Sequence, residues 1–128
     1  RQSAAMPRVA VSWGEVFDKL TILSIKSEKL QSPKARARVQ HEHQLLEEVA
    51  KAAQVNSSLI AELTRVNREL WECEDAIRDH ERRKDFGEGF TRIARAIYVH
   101  NDERARLKRA INNATGSVLQ EEKSYSAY

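Results

Sequence analysis

The sequence predicts an all-α protein, an antiparallel four-helix bundle. Three observations lead there. Of 128 residues only four are glycine and two proline, so little interrupts a helix. Hydrophobic residues recur at steps of three and four along four stretches, the period of a helix with one face turned inward. The segments between those stretches are short and carry cap and turn residues, which makes neighbouring helices antiparallel.

The elements follow in chain order. Met6 looks like a native start, so residues 1–5 read as an expression remnant or as disordered, with one helical domain over residues 6–128. Arg8 to Val11 is β-prone. Val118-Leu119 is placed to pair with Val9–Val11 as a small two-stranded ribbon. Ser12-Trp13-Gly14-Glu15 is a capping box, in which a serine and a glutamate three residues on satisfy orphan amides reciprocally. Helix 1 then runs from Trp13 to about Leu30 on a stripe of Val16, Leu20, Leu23, Ser27 and Leu30. Its other face mixes Glu15, Asp18, Lys19, Lys26 and Lys29 with Ile22 and Ile25. A helix apolar on both sides is touched on both sides, which makes helix 1 central. Ser32-Pro33 is a cap followed by proline at the first helical position. Helix 2 extends to about Gln54 on a weaker, Ala-rich stripe, and is peripheral. Asn56-Ser57-Ser58 caps helix 3, from Leu59 to roughly Arg83, whose seam is Leu59, Leu63, Val66, Leu70, Cys73 and Ile77. Lys84 to Gly89 is a loop. Helix 4 runs from Phe90 to Asn113, with Gly116 as C-cap. The tail from Ser117 to Tyr128 is long enough to fold back.

The functional signal is a set of polar residues where a helix should be apolar. On a helical wheel, Phe90, Ile93, Ile97 and Ile111 share a face with Asn101, Arg104, Lys108 and Asn112. Asn67 and Glu74 sit at the edge of the helix 3 stripe, with Arg78 beside them. Ionisable groups on a core face must be paired or hydrogen-bonded, or each costs several kcal/mol. The cluster reads as a site, with Arg104 and Lys108 holding a carboxylate or phosphate. It also reads as an internal network, such as Glu74 with Arg104, that fixes helix register. The sequence leaves both readings open.

Other chemistry is poorly represented. The charge balance is +3, from 22 basic and 19 acidic residues, far from the excess of a dedicated nucleic-acid binder. The arginines on the outer face of helix 4 (Arg92, Arg95, Arg106, Arg109) lack stacking aromatics, so a solvated face is expected there. The single cysteine, Cys73, excludes an internal disulfide and reads as a buried, inert thiol. No apolar run approaches the ~20 residues of a membrane span. His41 and His43 diverge on a helix and cannot chelate from one face. Glycine-rich phosphate loops, serine-nucleophile motifs, CxxC and HExxH are absent. Glu15-x-x-Asp18 and Glu72-x-x-Asp75 resemble the paired carboxylates of all-helical nucleoside triphosphate pyrophosphohydrolases, which makes Glu15 and Asp18 candidate Mg²⁺ or Mn²⁺ ligands.

Long stretches also resemble a family of short, uncharacterised bacterial proteins. They are VSWGEVFDKLTILSIKSEKL (Val11 to Leu30), LTRVNRELWECEDAIRDHE (Leu63 to Glu81), DFGEGF (Asp85 to Phe90), YVHNDERARLKRAIN (Tyr98 to Asn112) and the ending EEKSYSAY. The family carries GExxDKxTILxIK, LWxxEDxIR, NDxRxxLKxxIN and EEKSY motifs, and the resemblance covers nearly the whole chain from Val9. It is a domain of unknown function, so the resemblance implies no catalytic role. It does single out Gly14, Asp18, Lys26, Asn67, Trp71, Glu74, Arg78, Asn101, Arg104 and Lys108 among its motif positions.

The expectation is a cytoplasmic binding protein with a polar, anion-accepting pocket between helices 1, 3 and 4, roofed by the tail. Lys26, Arg104 and Lys108 are the anion contacts, with Asn67, Glu74, Arg78 and Asn101 orienting a small anionic metabolite or a partner segment. No cofactor is required in this reading, and no membrane or nucleic-acid partner. Two alternatives stand beside it. One is an enzyme, running metal-dependent phosphate chemistry or a metal-free, mutase-like reaction by analogy with helical chorismate mutases. The other is a structural bundle or homodimer that uses helix 2 as its contact.

Overall fold

The computed structural model describes residues 5–128, so the expectation for the first residues lies, Ala5 apart, outside them. Four helices are present: α1 (Trp13–Lys29), α2 (Pro33–Ala50), α3 (Ser57–Arg83) and α4 (Glu88–Thr115). Local chemistry sets their ends. The side chains of Ser12, Ser32 and Asn56 accept the orphan N–H groups of Glu15, Ala35 and Ser58, capping α1, α2 and α3. The capping box at α1 forms by half: the Glu15 carboxylate turns away to Lys108. α2 stops at Ala50, short of the expected Gln54, because Ala52 and Ala53 bond back only three residues, to Val49 and Ala50. α3 ends on Lys84 in the left-handed region (φ 54°), and Asp85 N–H closes onto His80 C=O at 3.0 Å. Gly116 (φ 69°) ends α4 in the same way.

α1 touches all three other helices, as its two-sided pattern predicts, whereas α2 packs on α1 alone. The core lies where α3 and α4 pair against the start of α1. Leu63, Val66, Leu107 and Ile111 are fully buried there, with Trp13, Phe17, Leu59, Ile60 and Leu70 packed around them. Each such leucine contributes ~1.5–3 kcal/mol of burial free energy. Between Arg68 and Arg106 no residue is buried, so the expected seam positions Ile77, Phe90, Ile93 and Ile97 are only half-covered. Two helices packed only on each other leave one flank of each stripe to solvent.

The terminal ribbon does not form, and no strand is present among the described residues. Val9 and Val118 are 78% and 95% exposed. The tail follows polar partners along α4 instead. None of the described helices is long and apolar enough to cross a membrane.

Candidate functional site

The first turn of α1 lies against the end of α4 in antiparallel register. Gly14 N–H donates to Asn112 Oδ1 at 2.7 Å, and Trp13 N–H donates to Ser117 Oγ at 2.9 Å. Two of the helix's orphan amides are thus satisfied from another element. Gly14 permits the approach: a Cβ there would stand 2.6 Å from the Lys108 carbonyl oxygen and 2.8 Å from Asn112 Oδ1.

One turn further, Asp18 is 3% exposed and accepts three hydrogen bonds. Arg104 supplies two, Nε to Oδ1 at 2.9 Å and Nη2 to Oδ2 at 2.6 Å. Asn67 Nδ2 supplies the third at 2.9 Å and also reaches Thr21 Oγ1 at 2.7 Å. The hydrogen bond with Asp18 raises the Arg104 pKa further, against the opposing effect of burial, so the guanidinium is charged at every accessible pH. A fork on a carboxylate with its remaining lone pairs bonded is the arrangement that makes a buried ion pair tolerable. The partner of Arg104 is therefore Asp18. Glu74, the partner in the expected network, lies on the exposed side of α3 in an ordinary i,i+4 pair with Arg78 at 3.2 Å.

Lys108, itself buried, makes ion pairs with two partly exposed carboxylates. Its ammonium stands 2.8 Å from Glu15 and 2.9 Å from Glu121 of the tail. Burial is the largest single influence and pulls the lysine pKa down, but the two carboxylates together outweigh it and leave it raised. Glu15 and Asp18 thus face different cations rather than one point. No group of three or more His, Cys, Asp or Glu residues suited to a metal gathers among the described residues. The carboxylates are engaged, and this donor set does not fit the Mg²⁺ or Mn²⁺ reading.

A cleft of about 550 Å³ opens beside the Asp18–Arg104 pair. α3 contributes Asn67, Trp71, Glu74 and Arg78, and α4 contributes Asn101 and Arg104. Ile22 of α1 and Leu70 form apolar wall, and Asp75 stands at the edge. Five of the seven expected ligand contacts therefore line one cavity between α1, α3 and α4. Lys26 and Lys108 do not line it: Lys26 is half-buried on α1, and Lys108 is engaged on the tail side. Nor does the tail roof it. The chain end lies beside α4, with Tyr128 edge-on to Tyr98 at 5.1 Å, and encloses a separate cavity of about 630 Å³. Asn101 borders both spaces.

Thr21, Ser117 and Glu121 join these networks without having been singled out by the sequence. Thr21 had a signal, since it falls one turn after Asp18 on the same face. Glu121 had one as well, since it opens the EEKSY stretch, whereas Ser117 had none. Cys73 is half-buried rather than buried as expected, and burial followed by Glu69, Glu72 and Glu74 pushes its thiol pKa up, which favours the protonated form.

The model of a family of unknown function (DUF6165) matches residues 7–128. No curated protein matches the chain, and no solved structure does.

Proposed function

We propose, for a chain that belongs to the family of unknown function DUF6165, that it is a small helical binding protein whose cleft between α1, α3 and α4 takes a low-molecular-weight ligand bearing a carboxylate or phosphate. The observation that carries this reading is the half-used guanidinium of Arg104. Its Nε and Nη2 are fixed by Asp18, while Nη1 makes no hydrogen bond among the described residues and the side chain lines the cleft. A fork already held by a carboxylate is preorganised, so little rotamer entropy remains to be lost when a ligand arrives.

Asp18 also neutralises Arg104, and the ligand's charge therefore needs a second cation. Arg78 supplies it. Its pair with Glu74 is solvent-exposed on both sides and of the kind worth ~0–1 kcal/mol, so an anion competes readily with that glutamate. The Asn101 side chain makes no hydrogen bond among the described residues and offers a donor and an acceptor at the cleft. Trp71 and Leu70 provide apolar surface for the ligand body. The cavity falls in the ~300–1,000 Å³ range of small-molecule sites. A metal-dependent reaction has no such support, because Glu15 and Asp18 would first have to release Lys108 and Arg104.

The test is thermal unfolding of the full chain against inorganic phosphate, succinate and citrate, with Arg78→Ala and Asn101→Ala as controls that leave the Asp18 and Lys108 ion pairs untouched. At 100 times its dissociation constant a ligand adds about 2.7 kcal/mol. The expected result is a melting-point rise of several degrees in the wild type and none in either variant. A flat response to all three anions, or an equal rise in the variants, would overturn the reading.

A further inference from the structure

α2 carries its charges against its own dipole. Lys34, Arg36 and Arg38 stand near its positive N-terminal end, and Glu47 and Glu48 in its last turn, with no acidic residue in the first turn and no basic residue in the last. No other helix is reversed at both ends: α1 and α3 end in basic turns, and α4 begins with Glu88. The reversal is relieved within the chain only at the C-terminal end, where Glu48 pairs with the exposed Lys51 at the C-cap and Glu47 lies beside His43; Lys34, Arg36 and Arg38 at the other end make no ion pair among the described residues. The helix also buries no residue and packs on α1 alone, leaving Leu45 and Val49 46% and 49% exposed.

The outward face of α2 has a further property. Lys34, Ala37, His41, Leu45 and Glu48 share one side of the helix, all exposed, at spacings of 3, 4, 4 and 3, and His41, Leu45 and Glu48 also border an open groove of about 910 Å³ between α2, α1 and the start of α3. That spacing is the same read from either end. We infer that this face is the contact of a two-fold symmetric homodimer, in which α2 of one copy packs antiparallel on α2 of a second copy. With the axis through His41, the register is fixed. Lys34 meets the second copy's Glu48, Ala37 meets its Leu45, and the two His41 residues stand together. A small residue opposite a large one lets the helices approach, and the Lys34 and Glu48 charges at the two ends of the face each meet their opposite. The antiparallel arrangement also sets each helix's N-terminal end against the other's C-terminal end, so the partner's dipole offsets the unfavourable term. The occupant is a second copy because a palindromic face with opposite charges at its two ends is complementary to itself. No α2 residue lines the α1–α3–α4 cleft, so the inference is independent of the binding proposal.

Sedimentation velocity of the full chain over a concentration series tests it. The wild type is expected to associate to dimers. Lys34→Glu, Glu48→Lys and Leu45→Asp each change an exposed side chain, so the fold should persist, as helical circular dichroism would verify. Each should weaken the dimer by about tenfold or more, and the double exchange Lys34→Glu with Glu48→Lys should restore it, because the two-fold register makes the exchanged charges complementary again. A wild type that stays monomeric overturns the inference. So does a dimer indifferent to all three substitutions, which would join through another face, or one that the double exchange fails to recover.

Discussion

Asp18 has the most to lose from a single change nearby. It is almost wholly out of water, and its charge is balanced by the Arg104 fork. Arg104→Met removes the fork and strands the carboxylate, which should cost about 3–5 kcal/mol in urea unfolding. Asp18→Leu made in the same chain removes the stranded charge, so the double variant should be markedly more stable than the sum of the singles implies. Additive losses would show that the two side chains do not act as a pair. Gly14 is constrained by space rather than charge. A methyl group there meets the Lys108 carbonyl, a backbone atom that cannot rotate away, at 2.6 Å. Gly14→Ala should destabilise by about 1–3 kcal/mol despite alanine's better helix propensity. A neutral or stabilising result would mean that α1 and α4 separate freely at this end.

Helix boundaries follow from local chemistry, and that is why they were legible. The caps at Ser12, Ser32 and Asn56 and the left-handed Gly116 all stand where the sequence placed them, because a short polar side chain or a glycine acts within three or four residues of itself. The α3 terminus breaks that pattern, since lysine rather than glycine takes the left-handed position. A side chain in that conformation costs about 1–2 kcal/mol, and glycine relieves most of it while loosening the unfolded chain. Lys84→Gly should therefore stabilise by roughly 1 kcal/mol, because the exposed Lys84–Glu81 contact it gives up is worth little. A fall in stability would place more weight on that contact than its exposure allows. Coverage is the part of the fold that periodicity could not supply. The steps of three and four along Leu70, Cys73 and Ile77, and from Ile93 to Ile97, identify the inward face correctly, but whether a third helix covers that face depends on how far α1 reaches along the hairpin.

The same distinction governs the site in the whole molecule. The wheel placed Arg104, Lys108 and Asn112 inside, yet the partner it offered for Arg104 was Glu74, because the choice between two carboxylates on different helices is made by register across an interface. The tail was expected to fold back, but its partner was not legible for the same reason: Glu121 lies thirteen residues beyond Lys108 and meets it only because the chain turns back at Gly116. That contact makes tail docking depend on pH. The hydrogen bond from Lys108 holds the Glu121 carboxyl below the usual glutamate range, against a smaller opposing effect of burial. A depressed carboxylate contributes stability in full above its unfolded value, and loses it as pH falls through the folded one. Lys108 works in the opposite sense, since its raised pKa keeps its contribution intact below the ordinary lysine value and loses it as pH climbs through the raised one. The tail should therefore be docked most firmly across the neutral range and loosen towards both extremes. Tyr98 and Tyr128 report this, because their edge-on contact forms only while the tail lies on α4. In nuclear magnetic resonance spectra of the wild type, the ring-current shifts between them should persist to a pH below the usual glutamate range and then collapse. Glu121→Gln should remove the sharp acid step and leave a weaker contact already present at neutral pH. If that variant keeps the wild-type acid profile, the tail is held by Ser117, Gln120 and the Arg109 contact to the Glu121 carbonyl rather than by the ion pair.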